Sequence, residues 1–208
     1  MKVLLLNGSS HPSGCTYTAL TEVAGTLNAQ GIETEILFFG SGPVRDCTGC
    51  ERCKQHPGRC VFDDDIINQI IEKAREANGF VIGSPVYFSH PSGRILSILD
   101  RVFYAGRPVF AHKPGAAVVS ARRAGTSASL DVLNKYFTVA QMPVVSSTYW
   151  TMVHGDRPED VPQDVEGLRT LRNLASNMAW LLRCIEAGKA AGIDAPQAET
   201  GAATNFIR

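Results

Sequence analysis

The chain has 208 residues, enough for one α/β domain with a full hydrophobic core, and its twenty basic residues balance twenty acidic ones. That balance leaves no electrostatic footprint for nucleic acid or an anionic membrane. The longest apolar runs, Val3 to Leu6 and Ala116 to Val119, fall far short of a membrane span, and the first leads into a loop without a signal-peptide cleavage pattern, so a cytoplasmic protein is expected.

Val3-Leu4-Leu5-Leu6 reads as a first strand, and Asn7 to Tyr17 as a tight loop that opens a helix. Such a loop gathers backbone N–H groups and short hydroxyls at one point, and the helix behind it adds the positive end of its dipole, so its natural guest is a phosphate. Neither the G-x-x-x-x-G-K-[ST] pattern nor G-x-G-x-x-G is present. A loop rich in Ser and Thr with no lysine suits a terminal monophosphate, which points to a mononucleotide such as FMN. Ser9, His11, Gly14 and Thr16 are the candidate contacts, with Cys15 acting through its backbone N–H. The competing reading is an ordinary turn after a strand.

The stripe Ala19, Leu20, Val23, Ala24 and Leu27 predicts a helix from Thr16 to about Gln30, ended by Gly31, and Ile32 to Phe39 a second strand. Gly40 to Gly58 has no usable periodicity. Cys47, Cys50 and Cys53 recur there at every third position, and Cys60 follows. Compact iron–sulfur ligand runs are spaced in this way, whereas structural zinc usually takes two separated pairs. The alternative is a set of reduced or regulatory thiols in a loop.

Asp63-Asp64-Asp65 reads as the cap of a helix that buries Ile66, Ile67, Ile70, Ile71 and Ala74. Phe80 to Gly83 is a third strand, Ser84 to Pro91 its exit loop, and Gly93 to about Tyr104 a helix. Ala116 to Ser120 is a fourth strand, Ala121 to Thr126 its exit loop, and Ser127 to Gln141 a helix. Pro143 to Ser146 is a short fifth strand, and Pro162 to about Ala191 one long helix. The tail, 192–208, is expected on the surface or against a neighbouring subunit. Five βα units give a single-domain, doubly wound parallel sheet, with ligands past the carboxyl ends of its strands. The loops after strands one, three and four should therefore meet at one crevice.

Pro85, Val86, Tyr87 and Phe88 bring apolar and aromatic groups to the second of these loops, a wall suited to a flat tricyclic ring, with core packing as the bland alternative. In the third, Ser120, Ala121, Arg122, Arg123 and Gly125 offer amides and guanidinium to the negative edge of a reduced flavin or to the phosphates of a nicotinamide cofactor. Adjacent loop arginines are also commonly just solvated charge. No Ser-His-Asp order or H-E-x-x-H pattern supports hydrolase chemistry.

With these residues assembled, the chain resembles the flavodoxin-like NADPH-dependent FMN reductase superfamily, and more closely its iron–sulfur flavoprotein branch. The resemblance runs through Asn7-Gly8-Ser9 to Thr16, the cysteine run with Gly58 to Asp65 behind it, Gly83 to Tyr87, and Leu99-Asp100-Arg101. It implies a five-stranded sheet of order 2-1-3-4-5, bound FMN, and a homodimer or homotetramer with flavin near a subunit interface. It also implies a 4Fe-4S cluster on Cys47, Cys50, Cys53 and Cys60. Ser9, His11, Cys15 and Thr16 would surround the phosphate, Pro85 to Phe88 edge the ring, and Ser120 to Gly125 contact its far side. Many relatives have Pro-Arg where this chain has Ser10-His11, which removes one fixed positive charge. The expected activity is FMN-dependent transfer of electrons from NAD(P)H to a quinone, nitro or azo compound or other small acceptor. The alternatives are an electron carrier that exchanges electrons with ferredoxin, and a redox-sensing module that uses its cysteines as switches.

Overall fold

The computed structural model describes residues 1–201 and 204. Its strands are β1 (Lys2–Asn7), β2 (Glu33–Phe38), β3 (Gly79–Tyr87), β4 (His90–Pro91), β5 (Gly115–Ala121) and β6 (Met152–His154). The helices are α1 (Cys15–Ala29), α2 (Ile67–Glu76), α3 (Gly93–Phe110), α4 (Thr126–Val139) and α5 (Val165–Ala190). Five strands run parallel in the order β2-β1-β3-β5-β6, and β4 pairs antiparallel with the end of β3. Setting aside that two-residue strand, the order is the expected 2-1-3-4-5.

The sheet is apolar on both faces, as parallel sheets are when helices cover both sides. Leu4 and Leu6 of β1 join Phe80 and Ile82 of β3 beneath α2, α3 and α4. Val3 and Leu5 join Val81, Ala116 and Val118 beneath α1 and α5. Each strand thus serves two cores through its twofold alternation.

The boundaries of the fifth strand, of β3 and of α3 differ most from the sequence reading, each for a local reason. The expected fifth strand at Pro143 to Ser146 makes one parallel bridge, Val144 with Gly115. The chain then leaves the sheet because α5 takes its polar groups: Asn177 donates to the Ser146 carbonyl at 2.9 Å and the Ser147 hydroxyl to the Thr170 carbonyl at 2.6 Å. Pairing resumes at β6, beside Val119 to Ala121. β3 continues four residues beyond Gly83 and turns back through Phe88 and Ser89, with φ of 48° and 59°. Two consecutive positive φ values define a tight hairpin turn, and neither residue is the glycine that usually announces one.

The three aspartates do not act as a shared helix cap. Asp65 Oδ1 accepts from the Ile67 amide, while Asp63 pairs with Arg59, Asp64 with Arg45 and Asp65 with Arg101. They latch the ends of the cysteine loop. α3 runs on to Phe110 with Pro108 inside it. A proline there has no N–H for the carbonyl four residues back, so Tyr104 O is freed. The Cys53 thiol takes it at 3.9 Å, and the amide of Gly58 takes the Ala105 carbonyl at 2.9 Å. The cysteine loop therefore docks where α3 has spare acceptors.

Beyond α5, residues 192–201 and 204 form no regular structure and 192–201 are exposed; the rest of the expected tail, 202, 203 and 205–208, lies outside the described residues. Among the described residues no helix is long and apolar enough to cross a membrane.

Candidate functional site: a cleft at the strand ends and a cysteine pocket

The turn after β1 is folded by Asn7, which is fully buried. Its Oδ1 accepts from the Ser9 amide at 3.1 Å, and its Nδ2 donates to the carbonyls of His11 and Pro12 at 3.5 and 3.4 Å. The Ser9 hydroxyl accepts from the His11 amide at 3.1 Å. Gly8 lies so close to its neighbours that an added Cβ would stand 2.7 Å from the Gly83 carbonyl oxygen and 2.8 Å from Ile95 Cβ. Ser92, at the start of α3, donates its hydroxyl to the Gly8 carbonyl at 2.8 Å. A loop held this way presents the start of α1 to the cleft.

That helix start has no side-chain cap and no acidic residue in its first turn. Its leading N–H groups remain as donors with the positive end of the helix dipole behind them, the physical requirement for an anion. The Thr16 hydroxyl lies 2.8 Å from the Ser120 hydroxyl, both residues buried, which ties the first loop to the exit of β5. Cys15 donates its thiol to the Gly155 carbonyl at 3.6 Å. Burial, with help from the carboxylates of Asp160, Asp156 and Glu159, pushes the Cys15 pKa up, so its sulfur stays protonated.

A cleft of about 510 Å³ opens here, within the usual range for small-molecule sites. Of the candidate residues, it gathers Ser9, His11, Gly14, Cys15 and Thr16 with Pro85, Val86 and Tyr87 and with Ser120, Ala121 and Arg122. Phe88, Arg123 and Gly125 are not in its lining. Phe88 is fully exposed at the hairpin tip, and Arg123 faces solvent. Gly125, at φ +88°, lets the hairpin seat: a Cβ there would be 2.5 Å from Ser89 Cα.

Sequence reasoning missed a fourth wall, Gly155, Asp156 and Pro158, which follows β6. Placing the last strand at 143–146 had hidden it. It also missed Asn7 and Ser92, whose signal is their position: an amide at a strand end and a serine one residue before a helix.

The donors suit a flavin mononucleotide. Uncapped N–H groups and hydroxyls at one end meet a phosphate's needs, and Pro85, Val86 and Tyr87 at the other suit a flat ring.

The second cluster lies on α3. Cys47, Cys50, Cys53 and Cys60 all line one small cavity of about 20 Å³, together with Phe62, Arg101 and Tyr104. All four are free thiols, Cys60 buried and Cys50 exposed. Asn68 brackets Cys60, accepting from its amide at 2.8 Å and donating to its carbonyl at 3.0 Å. The Arg52 amide beside Cys50 holds that thiol's pKa down. Burial raises the pKa of Cys53, and the nearby sulfurs of Cys47, Cys50 and Cys60 add to the rise.

Among the described residues, no three Cys, His, Asp or Glu side chains are grouped to hold a single metal ion. Four thiols around one cavity, beside a buried guanidinium whose Nε has no partner, are nevertheless a donor set suited to an iron–sulfur cluster.

A doubly wound parallel sheet that opens an uncapped helix start and an apolar wall at its carboxyl edge defines the class, a flavodoxin-like protein. An archaeal flavodoxin superposes with a TM-score of 0.60 at 14% identity, over 88% of this chain and 99% of that one. RosB, solved with bound 8-demethyl-8-formylriboflavin-5'-phosphate, gives a TM-score of 0.69 at 16% identity, over 100% of this chain and 94% of that one. In sequence, the family model for NADPH-dependent FMN reductase matches residues 1–156. An iron-sulfur flavoprotein of Methanocaldococcus jannaschii is 31% identical over 198 residues, covering 89% of this chain and 100% of that protein. The chain belongs to the NADPH-dependent FMN reductase family, in its iron–sulfur flavoprotein branch.

Proposed function

We propose that the chain is an FMN-dependent NAD(P)H oxidoreductase that passes electrons to a quinone, a nitro or azo compound or another small acceptor, with a 4Fe-4S cluster on its four clustered cysteines. The observation that carries this reading is the convergence of the uncapped start of α1, the Pro85 to Tyr87 wall and the Ser120 to Arg122 turn on one cleft. Bound FMN supplies the hydride and single-electron chemistry. The protein's own groups place and shield it. Ser9, Thr16 and the first-turn amides of α1 bind the phosphate, and Pro85, Val86 and Tyr87 keep water from one edge of the ring. Arg122, exposed at the cleft, offers the cation that either a reduced flavin or a nicotinamide phosphate calls for. No side chain is required as an acid or base.

The test is to purify the full chain anaerobically, record its visible spectrum, assay FMN, iron and sulfide, and follow NAD(P)H oxidation with a quinone. Flavin binding with nicotinamide consumption is expected. A chain supplied with FMN that does neither refutes the reading.

A second reading, an electron carrier that trades electrons with ferredoxin and has no nicotinamide site, is favoured by the exposure of Cys50 at the mouth of the cysteine pocket. Bleaching by reduced ferredoxin with no response to NAD(P)H would decide for it. The reading includes a cytoplasmic homodimer or homotetramer, supported by the exposed aromatics Phe88, Tyr149 and Trp150, and sedimentation of the full chain tests the assembly.

A further inference from the structure

Arg101 is 2% exposed, an unusual state for an arginine in a helix that faces a loop. Its guanidinium pairs with the Asp65 carboxylate and donates to the carbonyls of Arg45 at 3.2 Å and Phe62 at 3.4 Å. Its Nη2 also lies 3.4 Å from Cys60 Sγ, and the guanidinium carbon sits 5.7 Å from the Phe62 ring centroid. The Nε is buried without a partner. One carboxylate already balances the charge, so a structural ion pair has no need of a thiol or of an orphaned donor. Taking a cation out of water costs several kcal/mol, and a purely structural role would be filled more cheaply by an apolar side chain. What the geometry adds is a fixed positive charge and a hydrogen-bond donor at one sulfur of the four-cysteine pocket.

We propose that Arg101 is the positioning residue of that pocket, holding Cys60 as a ligand and raising the reduction potential of the iron–sulfur cluster bound there. The proposal rests on the cluster reading under Proposed function. Hydrogen bonds to ligand sulfurs and nearby charge are among the levers that set such potentials. A cation beside a ligand favours the form that carries one more electron, and hence one more negative charge. Asp65 opposes it: its carboxylate lies against the same guanidinium and offsets part of the field. Removing the cation should lower the potential, and removing the carboxylate should raise it. A side chain that only pinned the loop would give the same sign for both, because either loss would loosen Cys60 alike.

The experiment uses the full chain, reconstituted anaerobically with ferrous iron and sulfide, as wild type, Arg101→Gln, Arg101→Lys and Asp65→Asn. Iron and sulfide are counted, and the midpoint is read by a reductive titration followed by electron paramagnetic resonance. Arg101→Gln should lower the midpoint by about 59 mV or more, a tenfold change in a one-electron equilibrium. Asp65→Asn should raise it, and Arg101→Lys, which keeps the charge, should restore most of the wild-type value. Shifts of one sign for Arg101→Gln and Asp65→Asn, or no shift, overturn the proposal. If Arg101→Gln does not fold, Asp65→Asn decides alone: an unchanged or lowered midpoint overturns it. A wild-type chain that binds FMN but no iron refutes the cluster reading and this proposal together, and is told apart by the iron count.

Discussion

Single atoms decide whether the cleft exists. Gly8 is where β1, β3 and α3 meet: its amide donates to the Gly83 carbonyl at 2.8 Å, and no side chain fits between that oxygen and Ile95. Gly8→Ala should cost about 1 to 3 kcal/mol of stability through overpacking, read as a lower urea midpoint. Thr16→Val keeps the size of the side chain but strands the buried Ser120 hydroxyl, a stability loss of about 1 to 3 kcal/mol, and removes a proposed phosphate contact, which should weaken FMN binding roughly tenfold. Quenching of flavin fluorescence measures it, and Thr16→Ser should recover most of the affinity. At this scale the sequence was legible in placement, since Ser9, Thr16 and Pro85 all line the cleft. It was not legible at Phe88, whose side chain is turned out by a hairpin that dispenses with glycine, nor at Gly125, whose absent side chain makes room for that same hairpin.

Between elements, charge does the fastening. Glu35 of β2 bonds to Lys2 of β1 at 2.8 Å and to Lys73 of α2 at 2.5 Å, and these two lysines hold its carboxyl below the usual glutamate range. A depressed folded-state pKa gives stability that is present above the unfolded pKa and is lost as pH falls through the folded one. Wild type should therefore lose part of its urea resistance on acidification below about pH 4. Glu35→Gln should be weaker at pH 7 and show a shallower acid dependence. The helices and strands β1, β2, β3 and β5 were legible because their apolar periods are long and regular, whereas the two-residue β4 was read as loop. The last strand was not, since its pairing at 144 and at 152–154 is interrupted by polar bonds to α5 that leave no periodic trace. The three aspartates carried the pattern of a helix cap, and the arginines that claim them lie as far as 36 residues away in sequence.

For the molecule as a whole, strand order and the location of the cleft follow from one topological rule, and three of the four walls were legible from it. The fourth was hidden together with the last strand. The two candidate sites share α3 as a support but none of their lining residues. Ser92 at its beginning braces the Gly8 turn, and Ala105 near its far end receives the cysteine loop. Thirteen residues of helix at about 1.5 Å each hold these two attachment points about 20 Å apart.

With separate linings joined by such a rod, the two proposed cofactor stations should be independently serviceable. Replacing all four thiols of the Cys47 to Cys60 loop with serine should yield a chain that stays yellow, with its FMN retained at the wild-type ratio and its iron gone, as absorbance and metal analysis would show.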